Sequence, residues 1–106
     1  MIKIYAVNDG NNYEVRIHGH AGYSASGRDI VCAAVSALYY ALLGTLENDD
    51  KTKRIKSRQK SGSAALCFCG GRNSAGAYDM ALRGFSQLAF TYPKNIKLYI
   101  NGREYI

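Results

Sequence analysis

The chain reads as an α+β domain, with elements in the order ββαββαβ forming one mixed or antiparallel sheet packed with two helices. Three observations predict it. Short stretches near both ends and in the middle alternate apolar and polar residues with the period of a strand. Two longer stretches are apolar at helical spacing. Turn-forming residues stand at the joins between them. With 106 residues, 47% of them hydrophobic, residues 1–106 fit a single domain large enough for its own core.

Met1 to Val7 alternates, with Ile2, Ile4 and Ala6 on one side. Asn8 to Asn12 is rich in residues that accept a left-handed backbone, so it is a turn. Tyr13 to His20 alternates again: Tyr13, Val15 and Ile17 share one face, and Glu14, Arg16, His18 and His20 the other. These two strands make a hairpin. Ala21 to Arg28 holds two glycines and two serines without an apolar run, and is a loop.

Asp29 then precedes a dense apolar stretch from Ile30 to Leu46. A carboxylate there can accept from the free N–H groups of a first helical turn. The stretch is apolar nearly all round, so more than one side should be covered. A membrane span needs roughly 20 uninterrupted apolar residues, and Ser36, Gly44 and Thr45 interrupt this shorter run. A central helix partly covered by a second copy in a homodimer is the expectation. Further strands are expected near Arg54–Arg58 and Ser63–Cys69, joined at Ser61-Gly62. Ala75 to Tyr92 places Tyr78, Ala81, Leu82, Phe85, Leu88 and Ala89 on one helical stripe, and Pro93 stops it. Ile96, Leu98 and Ile100 alternate as a last strand before the turn Asn101-Gly102 and a short tail.

Composition narrows the function classes. Met1 opens directly on a strand pattern, without a basic segment and apolar run of a secretory signal. Cys32, Cys67 and Cys69 are too few and too clustered for a disulfide framework, which points to a reducing, cytoplasmic setting. The net charge is +6, and Lys51, Lys53, Arg54, Lys56, Arg58 and Lys60 crowd together. Such a patch can attract nucleic acid. It equally serves as a charged strand edge that resists aggregation. No aromatic residues interleave with these charges along the chain, as single-strand binders require, so the edge reading is preferred.

Cys32 stands at the third helical position behind Asp29. Unpaired N–H groups and the positive end of the helix dipole favour thiolate there, and thiolate is the nucleophile. Cysteine is also a common core residue, and in an apolar helix that reading competes. His20 ends a strand beside the loop that leads to the cysteine helix. A histidine within reach of Cys32 can take the thiol proton and later protonate a leaving amine.

The segment from Gly19 to Leu38 closely resembles the signature of the ribosomal-processing cysteine protease family, Prp. That family pairs Gly-His-Ala with Gly-x-Asp-Ile-Val-Cys-Ala, here Gly19-His20-Ala21 and Gly27-Arg28-Asp29-Ile30-Val31-Cys32-Ala33. The resemblance implies an α/β homodimer that removes a short N-terminal extension from a large-subunit ribosomal protein, number twenty-seven. It implies catalytic roles for His20 and Cys32 and requires no cofactor or metal. Ser36 matches a family serine one turn after the cysteine; its hydroxyl either supports the site or bonds back to its own helix. The loop, with Ala21, Gly22, Tyr23 and Gly27, would close over an extended peptide, the glycines as hinges and Tyr23 lining the groove. Asp29 either caps the helix or orients His20; capping is preferred. Backbone N–H groups around Cys32 are the expected oxyanion donors.

Two other readings compete. A binding module would use the basic segment on ribosomal RNA or another polyanion. A metal site would need His18, His20, Cys67 and Cys69 to converge, at a spacing unlike that of zinc cysteines. The basic charge would repel a basic ribosomal protein at long range, so a tail would have to be read by local contacts; a relative acting on a phage capsid or scaffold precursor is a variant.

Overall fold

The computed structural model describes residues 1–25 and 28–105. Its elements are β1 (Ile2–Asp9), β2 (Asn12–His18), α1 (Ile30–Glu47), β3 (Lys53–Lys60), β4 (Ser63–Cys69), α2 (Arg72–Thr91), β5 (Ile96–Ile100) and β6 (Arg103–Glu104). The strands form one mixed sheet in the order β3-β4-β2-β1-β5-β6. Among the described residues β1 and β5 pair in parallel, and the other pairs are antiparallel.

The expected order is met, with one addition. Asn101 and Gly102 both take positive φ, the backbone of a two-residue hairpin turn whose twist matches its strands. The tail therefore folds back as β6, where Glu104 meets the Lys97 ammonium at 2.8 Å. The helix expected from Ala75 starts earlier, at Arg72, capped by Gly71 without a side-chain hydrogen bond. That start has no capping side chain to mark it.

The sheet separates its two faces by strand parity. Ile2, Ile4, Ala6, Val15, Ile17, Leu66, Phe68, Ile96 and Leu98 point inward, where both helices cover them. α1 contributes Val31, Val35, Tyr39, Leu42, Leu43 and Leu46; α2 contributes Tyr78, Ala81, Phe85 and Ala89. The helices touch closely, since a Cβ on Gly84 would meet Leu38 Cδ1 at 2.7 Å. The α1 residues Ile30 and Tyr40 stay exposed. The apolar helix is thus covered on one side by the sheet and α2, with apolar side chains left over. Strand β3 lies on the sheet's edge. Its register slips between Lys53 and Lys56, where Arg54 takes a left-handed φ of 56°. Charge and a bulge both blunt such an edge.

Candidate active site

The site lies where α1 begins. Asp29 takes extended backbone angles and its Oδ1 accepts the Val31 and Cys32 amides, each at 3.0 Å. Its Oδ2 accepts from the amides of Tyr23 at 3.0 Å and Ser24 at 3.3 Å. One carboxylate therefore caps the helix and holds the preceding loop. The Cys32 amide foremost, then those of Ser24, Tyr23 and Val31, hold this carboxyl below its ordinary value against partial desolvation. Both oxygens are committed to backbone, and no hydrogen bond to His20 is present among the described residues.

This capping corrects the oxyanion expectation. The amides of Val31 and Cys32 serve Asp29 Oδ1, and that of Ala33 closes the first helical bond to the Asp29 carbonyl at 3.1 Å. The amide facing the half-buried sulfur comes instead from the loop: Ala21 N–H donates to Cys32 Sγ at 3.3 Å.

His20 reaches the site by a break in strand parity. Continued alternation would put it on the outer face with His18, away from α1. Strand β2 stops at His18, and Gly19 takes φ +94 with its own amide bound to the Gly62 carbonyl at 2.9 Å. A Cβ on Gly19 would collide with the Met1 carbonyl. Only glycine fits that turn, and it swings His20 to the helix side. Two hydrogen bonds and burial then fix the His20–Ala21 stretch. The N-terminal ammonium donates to the His20 carbonyl. Ala21 is buried. Asn95 Nδ2 donates to the Ala21 carbonyl at 2.9 Å, and the Asn95 carbonyl accepts from the Ile2 amide at 2.8 Å.

His20, Cys32 and Ser36 together line a cavity of about 450 Å³, whose apolar wall includes Ile17, Val35 and Tyr40. An adjoining one of about 590 Å³ shares all three and Ser61, and adds Gly22 and Asp29. The imidazole is exposed and lies over Gly62 of the β3–β4 turn. Gly22 takes φ +69 in open space, as a hinge position can. Tyr23, expected in the groove, instead packs edge-on against Tyr92 with centroids 5.5 Å apart. Gly27 lies outside the described residues.

Sequence reasoning missed Ser61, Gly62 and Asn95. Ser61-Gly62 was legible as a turn, but only the β2–β4 register, with His18 opposite Ser63, brings it beside His20. Asn95 carried no signal beyond its position after Pro93. The same register rules out the four-ligand metal reading. Cys67 and Cys69 lie opposite Glu14 and Asn12, and Cys67 is four residues, about 13 Å, along the strand from His18's partner. No group of three metal-ligating side chains converges among the described residues.

The family model for the cysteine protease Prp matches residues 1–97. Among solved structures, the essential ribosomal processing protease Prp of Staphylococcus aureus, with a covalently linked product peptide, superposes at a TM-score of 0.75 and 21% identity, covering 94% of this chain and 99% of that one. The same protein with a substrate peptide gives a TM-score of 0.71 at 20% identity, over 94% and 99%. SMU.848 of Streptococcus mutans gives 0.73 at 27% identity, over 94% of this chain and 93% of that one. No curated protein sequence matches the chain.

Proposed function

Because the chain belongs to the cysteine protease Prp family, we propose that it removes a short N-terminal extension from a large-subunit ribosomal protein, number twenty-seven, with Cys32 as nucleophile and His20 as acid and base. The observation that carries this reading is the shared cavity: His20 and Cys32 line one groove at the start of α1, and the Ala21 amide donates to the sulfur. The staphylococcal relative, a ribosomal processing protease bound to a substrate peptide, supports the same substrate class.

The chemistry is acyl transfer. His20 takes the Cys32 proton, and the thiolate attacks the scissile carbonyl carbon, sending its π electrons to oxygen. The tetrahedral oxyanion collapses, the C–N bond breaks, and His20 returns the proton to the leaving amine. Water then attacks the thioester with His20 as base, releasing the acid and the thiol. The Ala21 amide is the donor best placed to follow charge from sulfur to the new oxyanion. Ser36 borders the groove for peptide contacts, and the Tyr23 ring would leave Tyr92 as the loop closes over an extended segment. The apolar wall at Ile17, Val35 and Tyr40 suits an uncharged side chain beside the cleaved bond.

A cytoplasmic homodimer belongs to this reading, with exposed Ile30 on α1 as part of the surface for the second copy. Light scattering at monomer mass would remove that part. The activity itself is tested by mixing the protein with a full-length ribosomal precursor and weighing the products. A single N-terminal cut that falls at least about a thousandfold in Cys32→Ala and folded His20→Ala variants supports the pair. An uncleaved precursor and a Cys32 inert to a thiol-reactive peptide would sink it.

A further inference from the structure

The sheet face turned away from the helices carries charge and aromatic rings in cross-strand rows that the linear sequence hides. Lys60, Ser63, His18, Lys3 and Lys97 lie opposite one another on β3, β4, β2, β1 and β5. The next row is Arg58, Ala65, Arg16, Tyr5 and Tyr99. Paired residues in a sheet share a face, so cations scattered through the chain meet here.

Tyr5 and Tyr99 stack, with centroids 4.9 Å apart and planes 10° from parallel. Arg16 Cζ lies over the Tyr5 ring at 5.2 Å from its centroid, and His18 meets the ring edge-on. Two of the face's acids are engaged, Glu14 with Arg16 at 3.5 Å and Glu104 with Lys97 at 2.8 Å, and Asp9 lies at the far end of β1, opposite Asn12. Lys3, Lys56, Arg58 and Lys60 are exposed and have no carboxylate partner among the described residues. A hollow of about 230 Å³ lies between Lys56, Arg58 and Cys67.

We infer that this open sheet face binds single-stranded RNA, phosphates on the Lys3–Lys56–Arg58–Lys60 cations and bases packed against the outward side of the Tyr5–Tyr99 pair. Tyr5 and Tyr99 are half-buried, and their outward edges on a basic sheet offer unpaired bases an aromatic surface; a duplex hides those bases. The choice of RNA rests on the proposed substrate being a ribosomal protein. An enzyme at +6 repels a basic protein at long range, and RNA held on this face supplies the bridging negative charge. The face also adjoins the groove, since Lys60 belongs to the first row and lines the catalytic cavity.

The experiment measures fluorescence anisotropy of a labelled mixed-sequence RNA of about 12 nucleotides, using full-length Cys32→Ala protein so that binding is read without proteolysis. Saturable binding that weakens steeply with salt is expected. Lys56→Glu with Arg58→Glu should lose at least about tenfold in affinity, and otherwise wild-type enzyme carrying that pair should cleave a short peptide normally. Tyr5→Leu with Tyr99→Leu should also weaken binding, at an unchanged salt slope. Undetectable binding, equal affinity for a duplex, or indifference to the tyrosine changes would each overturn the proposal. Equally tight binding of the matching DNA strand overturns the assignment to RNA, and a dimer that dissociates in the Lys56→Glu, Arg58→Glu protein assigns the face to a second copy. Loss of peptide cleavage in the wild type bears only on the protease reading, because RNA binding is read separately.

Discussion

His20 rests on Gly62 so closely that a Cβ at residue 62 would meet Nε2 at 2.9 Å. The turn between β3 and β4 is thus the floor under the imidazole. Gly62→Ala should displace His20, the end of a flexible side chain, and lower kcat. It should also cost about 1–2 kcal/mol of stability through its left-handed backbone, since φ is +75. Gly10→Ala is the control: its φ is +60 with nothing near the added Cβ. Equal activity losses in both variants would show that backbone strain, and not the imidazole, carries the effect.

Asp29 couples helix and loop through four amides. Its folded-state value lies below the ordinary 3.8, so its carboxylate stabilises the fold above that pH and the contribution is lost as pH falls through the folded value. Asp29→Asn should lower Tm at neutral pH, and the gap to wild type should close on acidification below pH 3.8. A gap that stays constant from pH 7 to pH 3 would count against the charge as the cause.

Asn95 reaches across the sequence to hold the Ala21 carbonyl, and so the peptide whose N–H faces Cys32. Asn95→Ala removes one hydrogen bond of about 1 kcal/mol. If it acts by positioning, kcat should fall about fivefold with KM little changed. Asn95→Asp, which sets an acceptor against an acceptor, should lose more. Steady-state kinetics decide this, and a rise in KM alone would assign Asn95 to peptide binding.

Tyr78 buries its hydroxyl without a partner among the described residues, and burial, then Tyr13, pushes its phenol up to about 12. Tyr78→Phe keeps the ring contacts with Tyr13 and Phe68 and deletes the orphan oxygen. Urea unfolding should show a gain of about 1 kcal/mol. A loss of similar size would reveal a partner for that oxygen.

The local elements were legible because each is written at short range. Alternation marked β1, β2 and β5; Asp29 marked the start of α1; Pro93 marked the end of α2. His20 and Cys32 were legible as a pair through the family motif, and Asp29 as a cap through the physics of unpaired amides. Parity failed at one residue. Period-2 alternation sent His20 to the outer face, and Gly19, free to adopt φ +94, turned it back toward the helix.

By itself, then, the sequence determined the elements, the family motif and the cap, all set by periodicity and by residues a few positions apart. The tertiary structure decided what surrounds them. Gly62 under His20, Asn95 on Ala21, and Arg58 in one row with Tyr99 depend on which strands pair and in what register. Those pairings close long loops and are chosen by burying Ile4, Val15, Leu66 and Leu98 together under two helices, a property of the whole core that no local stretch encodes.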